Sequence, residues 1–150
     1  MVELRRITDI AELMKWRREV IENVFDEVPS ARLMEANRKY YDTHISDGSH
    51  IAFLALYNDQ ECGCGSICLT DELPSPDNPS GHCAYLMNIY VRKPFRTHGI
   101  GHAIVTKLLE AAGGLECGKI YLETTPEGRR VYESLGFHDM RDMMKYDVKP

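Results

Sequence analysis

The sequence predicts an α/β fold: a mixed sheet flanked by helices, with element order βααβββαβαβ in one domain over residues 1–150. Three observations predict it. Two apolar runs joined by Asn58-Asp59 read as a β-hairpin. Two earlier segments, near residues 10–25 and 33–45, carry apolar residues at helical spacing. A further apolar run, Ala84 to Val91, leads through a glycine-bearing turn into another helix-patterned segment.

Val2 to Ile7 alternates as a short strand does, and Asp9 with Glu12 three residues later forms a helix N-terminal signature. The first helix is expected to run to about Phe25, with Ile10, Leu13, Met14, Val20, Ile21 and Val24 as its apolar stripe. Pro29-Ser30 restarts the chain, and Leu33 to Ile45 gives a second helix ending near Asp47-Gly48. Ile51 to Tyr57 and Glu61 to Thr70 are the hairpin strands. In the second, Cys62, Cys64, Ser66 and Cys68 are expected on one face. Three prolines and a glycine make residues 73–81 a loop. Cys83 to Val91 is the next strand, Gly99 to Ala112 a helix closed by Gly113-Gly114, and Lys119 to Thr124 a further strand. Pro126 suits the first turn of a helix stopped at Gly136, and Phe137 to Val148 is expected to supply a last strand.

At 150 residues and a net charge of −5, the chain lacks the basic excess that nucleic-acid binding demands. No window approaches the ~20 apolar residues of a membrane span. The first residues carry charges where a leader peptide needs its apolar stretch, so the expectation is a cytoplasmic protein. Five cysteines, an odd number, read as reduced thiols, and their spacing does not match a zinc site, so no metal is expected. His44, His50, His82 and His138 are scattered and expected to face solvent. The pair Tyr40-Tyr41 is expected to pack in the core and at its rim.

The stretch Arg96-Thr97-His98-Gly99-Ile100-Gly101 carries the most chemistry. A strand that ends in a glycine turn opening a helix aims the first free amides of that helix at one spot. The helix dipole adds roughly half a positive charge there. Gly99 and Gly101 let a bulky anion approach the backbone. The turn lacks the Lys-Ser/Thr ending of a P-loop and does not follow the first strand, which argues against a nucleotide-binding domain.

Tyr90 to Gly101, followed by a helix, a strand and Val131-Tyr132-Glu133-Ser134-Leu135-Gly136-Phe137, resembles the GNAT family of acetyl-CoA-dependent N-acetyltransferases. Arg96, Gly99 and Gly101 fill the family's pattern of Arg or Gln, two residues, Gly, one residue, Gly or Ala. Thr97 stands where a further glycine is frequent. A β-branched residue disfavours a positive φ, so the loop is expected to pass Thr97 either in an ordinary conformation or under strain. The resemblance implies a central, mostly antiparallel sheet whose strands 84–91 and 120–124 splay apart. Acetyl-CoA would enter as co-substrate, its pantetheine arm pairing with backbone around Ile89, Tyr90 and Val91 and its pyrophosphate resting on Arg96, Thr97, His98, Gly99, Ile100, Gly101 and His102. The nearby Arg92 and Lys93 would add positive charge.

The resemblance makes Tyr132 the general acid for the leaving thiolate. With an ordinary pKa of about 10, a phenol is protonated at neutral pH. The strand before the turn has no acid where many members place a base. Asn88 is left to hold a water or the substrate amine, and Glu123 and Glu72 are the carboxylate candidates. Thr125 replaces a frequent pantetheine-contacting asparagine, and Arg129 adds a charge nearby. The implied function is direct transfer of an acetyl group to a primary amine, on a small molecule or a peptide, in a ternary complex. The alternative is a coenzyme-A-binding module without catalysis. Acids such as Asp26, Glu27, Asp71 and Glu72 would suit a cationic amine. The resemblance also allows a homodimer, for which no residue pattern speaks.

Overall fold

A computed structural model describes residues 1–149 of the chain. Strand β1 (Val2–Ile7) leads into helix α1 (Ile10–Val24) and helix α2 (Ala31–Ser46). Strands β2 (His50–Tyr57), β3 (Gln60–Asp71) and β4 (His82–Val91) follow, then a short 3-10 turn at Lys93–Phe95. Helix α3 (Ile100–Gly114), strand β5 (Lys119–Leu122) and helix α4 (Arg129–Ser134) complete the order. The five strands lie in sequence order across one sheet. The first four are antiparallel, and β4 with β5 is parallel.

Local chemistry sets the helix starts. Asp9 caps α1 by accepting from the Glu12 amide at 3.0 Å, and Ser30 caps α2 through the Leu33 amide at 3.1 Å. Alternation along the strands then divides the core in two. Ala52 and Leu54 of β2 face α1 and α2, where they meet Leu13, Trp16, Val20 and Tyr41. Phe53 and Ala55 face the opposite side, packed with Ile100, Ile104, Val105 and Leu108 of α3. Close packing of α3 requires a strand without side chains beneath it: a Cβ at Gly65 would run into Ile104.

Three expectations need correction. Cys62 does not share a face with Cys64, Ser66 and Cys68. The β2–β3 register shifts so that Ala55 faces Gly63 and Leu56 faces Glu61, and the extra residue, Cys62, turns into the α3 side of the core. His50 is buried at 3% exposure beneath Tyr40 and Tyr41 because β2 begins one residue earlier than its apolar run. No strand forms over Phe137 to Val148. Its apolar residues at 137, 140 and 143 break period two, and the alternating Met144, Tyr146 and Val148 that follow are exposed and cover no core face.

Arg92, expected beside the glycine turn, points the other way. Its guanidinium grips Glu19 of α1 through two 2.8 Å hydrogen bonds and stacks over Trp16, with 4.4 Å to the ring centroid. This bidentate pair ties α1 to the end of β4. The Arg92 hydrogen bonds hold the Glu19 carboxyl below its ordinary value of 4.5. A lowered folded-state value gives stability that is complete above the ordinary range and is lost as pH falls through the lowered value. Glu19→Gln is therefore expected to cost about 1–2 kcal/mol in urea denaturation at pH 7. The gap to wild type should close as the pH falls through the lowered value of Glu19.

Candidate active site

The β4–β5 ladder ends at Leu86 opposite Leu122, and beyond it β4 continues to Val91 with no strand on that side among the described residues. The separation has a local cause. Between Ser66↔Met87 and Cys64↔Tyr90, β4 carries one more residue than β3, and Asn88 takes the left-handed conformation, φ 59°. This β-bulge bends the strand as β5 stops. Asparagine is among the few residues that adopt that conformation at low cost.

Beside the splayed end of β4 lies a cleft of about 420 Å³. Ile89, Tyr90 and Val91 form one wall. The turn with Arg96, Thr97, Gly99, Ile100, Gly101 and His102 forms the floor, and Glu127, Gly128, Val131 and Tyr132 form the far side. Phe95 and Val105 close the interior. Of the residues expected to hold the cofactor, the fold gathers Ile89, Tyr90, Val91, Arg96, Thr97, Gly99, Ile100, Gly101 and His102 around one space with Tyr132, and His98 is the exception. Its ring turns out to stack near Tyr57, centroids 5.0 Å apart, and only its backbone stays with the turn.

The floor presents open backbone donors. Unlike α1 and α2, α3 has no side-chain cap. Its first backbone bond runs from the Ala103 amide to the Gly99 carbonyl, so among the described residues the amides of Gly99 to His102 meet no protein acceptor. Gly99 has φ 74°, and a Cβ there would enter open space. A Cβ at Gly101 would reach only Val91, at 4.0 Å. Room for a bulky group is thus kept against the amides, which fits the pyrophosphate of coenzyme A. Arg96 anchors its Nε on the Val91 carbonyl at 2.9 Å and leaves its remaining donors beside the turn.

Thr97 adopts φ 73°, so the strained of the two expected conformations is the one found. Left-handed backbone costs a β-branched residue about 1–2 kcal/mol. Thr97→Gly is expected to raise the stability by about 1 kcal/mol, read as a higher urea midpoint with an unchanged slope.

Tyr132 stands on α4 with its ring edge-on to Phe137, centroids 5.8 Å apart. Burial pushes its phenol above the ordinary value of 10.0, so it is protonated through the neutral range. Among the described residues its hydroxyl makes no hydrogen bond. Arg129 is not free for a ligand, being paired with Asp139 and, at 4.0 Å, with Glu133.

The two carboxylate candidates part company. Glu72 sits at the opposite end of β4 and β5 from the cleft, bound to Lys119 at 3.3 Å, with Asp71 beside it on His82 at 2.7 Å. Glu123 leaves β5 at the splayed end, next to the Tyr85 hydroxyl. Burial and then that carboxylate push Tyr85 up to about 12. Asn88 faces α1 and α2, where its Oδ1 accepts from Arg17 Nη1 at 2.7 Å. The sequence reading missed Arg17 and the cleft residues Val105, Glu127, Gly128 and Val131. Only the fold brings α1 and α4 to the two sides of the bulge.

Among the described residues there is no cluster of three His, Cys, Asp or Glu side chains able to hold a metal ion. No described helix is long and apolar enough to cross a membrane.

The fold and cleft define an acyltransferase of the GNAT type. The model of the acetyltransferase (GNAT) family matches residues 10–137, and the chain belongs to that family. Among solved structures it is similar to a predicted acetyltransferase with acetyl-CoA from Clostridium acetobutylicum, with a TM-score of 0.87 and 23% identity over 98% of this chain and 96% of that one. A GCN5-related N-acetyltransferase from Ralstonia eutropha gives 0.78 and 21% over 98% and 99%. Glucosamine-6-phosphate N-acetyltransferase from Arabidopsis thaliana gives 0.75 and 16% over 99% of both chains. No curated protein matches in sequence.

Proposed function

We propose that this protein transfers the acetyl group of acetyl-CoA directly to a primary amine, with both substrates bound together. The observation that carries the reading is the row of unbonded amides from Gly99 to His102, facing a cleft that also holds the protonated Tyr132. The amides and Arg96 bind the pyrophosphate, and the free edge of β4 at Ile89 to Val91 aligns the pantetheine arm as an added strand. Val91 contributes with one lone pair already engaged by Arg96.

The chemistry requires a neutral amine to attack the thioester carbon, a C–N bond to form and the C–S bond to break. Tyr132 donates its proton to the departing thiolate. Glu123, at the splayed end of β5, takes the amine proton directly or through water, whereas Glu72 has no part in the reaction. Burial keeps the Tyr132 phenol in its neutral form, so the proton is in place when the thiolate departs. The structure from Clostridium crystallised with acetyl-CoA supports this choice of co-substrate.

Isothermal titration with acetyl-CoA and coenzyme A tests the cofactor half, with a micromolar Kd expected, about −8 kcal/mol. Release of free thiol on addition of amines tests the catalytic half. Binding without any thiol release across an amine panel would favour the non-catalytic coenzyme-A module. No binding by the folded protein would overturn the acetyltransferase reading.

A further inference from the structure

On the α1–α2 face of the bulge lies a second cavity of about 270 Å³, and it contains a cation without an anion. Arg17 reaches in from α1 and spends two of its five N–H donors on neutral amides: Nε on Asn37 Oδ1 at 3.0 Å and Nη1 on Asn88 Oδ1 at 2.7 Å. The acids that follow it on α1 are engaged elsewhere, Glu19 with Arg92 and Glu22 with Arg18. Among the described residues no carboxylate pairs with Arg17. A half-buried guanidinium left in this state has unused donors and an unbalanced charge.

The surroundings repeat the same preference. With Oδ1 turned to Arg17, Asn88 is left with its Nδ2 donors, which make no protein hydrogen bond among the described residues. His50, 3% exposed and lining the same cavity, is held neutral by its burial and adds no charge of its own. Tyr40, Cys68 and Met87 supply an apolar wall. No acidic residue lines the space. Such a site repels an ammonium head and attracts a small anionic one.

Its position ties it to the reaction. Asn88 is the bulge residue itself, and the next residue, Ile89, already lines the cofactor cleft. A group anchored on Arg17 and Asn88 therefore lies beside the bulge, where β4 runs on past the end of β5. Resting on the acetyltransferase reading above, we propose that the acceptor is a small amine carrying an anionic group, a carboxylate or a phosphate, gripped by the Arg17 guanidinium and Asn88 Nδ2. The positive charge also disfavours the ammonium form of that amine, which must be neutral to attack.

The test is thiol release from acetyl-CoA with matched acceptors: α-, β- and γ-amino acids against their carboxamides, and phosphoethanolamine against ethanolamine. The anionic member of at least one pair is expected to exceed its neutral mate by about tenfold or more in kcat/KM, and the pair that does so tells carboxylate from phosphate. In Arg17→Gln the anionic acceptor should lose about 30-fold, mainly through KM, and the neutral one less than about threefold. Acetyl-CoA titration of the same variant should be unchanged, showing that the fold and the cofactor site survive. Equal or better use of the neutral amines overturns the proposal, as does an equal loss for both acceptors in the variant. Acetyl-CoA binding with no acceptor of the set consumed also overturns it and leaves the cofactor assignment standing. Absence of acetyl-CoA binding overturns the reading on which it rests.

Discussion

Tyr132→Phe is expected to lower kcat by about 10²-fold while leaving the acetyl-CoA Kd within about twofold. The substitution deletes one hydroxyl that makes no protein hydrogen bond and leaves the ring in its edge-on packing with Phe137. Little stability should be lost, because no buried partner is orphaned. The proton is needed only when the thiolate departs, so the loss falls on kcat rather than on binding. The pH profile gives a second readout. Burial raises the phenol above 10.0, so the wild-type rate should not fall on the alkaline side until the pH passes that value. In the variant the remaining activity should depend on solvent protons, and this alkaline limb should disappear. A kcat unchanged in Tyr132→Phe would remove the residue from the chemistry.

Gly101→Glu is expected to weaken acetyl-CoA by at least about 10²-fold, measured by titration. A carboxylate on the first turn of α3 would stand among the amides offered to the pyrophosphate. At an effective dielectric near 20, two unit charges 4 Å apart repel by about 4 kcal/mol. The helix itself should not suffer, since an acid in the first turn complements the helix dipole. A Cβ at this position meets only Val91, at 4.0 Å, so thermal stability should stay within about 0.5 kcal/mol. Gly101 is a cleaner probe than Gly99, whose φ of 74° penalises any side chain whatever the ligand. Retained affinity in a folded Gly101→Glu would move the pyrophosphate away from this turn.

The sequence carried the elements whose causes are local. Asp9 and Ser30 cap the two helices they precede. Asn58 and Asp59, both at positive φ, make the hairpin turn where the strands were separated. The glycine turn opens α3 as its residues require. The expected last strand has no such cause, since its apolar residues either break period two or stay exposed.

Pairwise placement across the chain was not legible. Arg92 looked like part of a basic patch at the turn, yet Glu19, 73 positions earlier, draws it to α1. Glu72 and Glu123 were equivalent on paper. The parallel register of β4 and β5 separates them, with Glu72 bound at the start of β5 and Glu123 leaving at its splayed end. Cys62 changed faces because one extra residue in β3 reverses every alternation before it. Arg17 carried no signal at all, because an arginine on an amphipathic helix normally means a solvated face.

By itself the sequence determined the element order as far as α4, the glycine turn that opens α3 and the place of Tyr132 on the short helix stopped at Gly136, since each rests on spacing along one continuous stretch of chain. Tertiary structure alone decided which charges remain unpaired and where the sheet opens. Both depend on register and on contacts between residues tens of positions apart, and the β-bulge at Asn88 takes part in both, lying where β4 runs on past the end of β5 and giving Arg17 a hydrogen-bond partner.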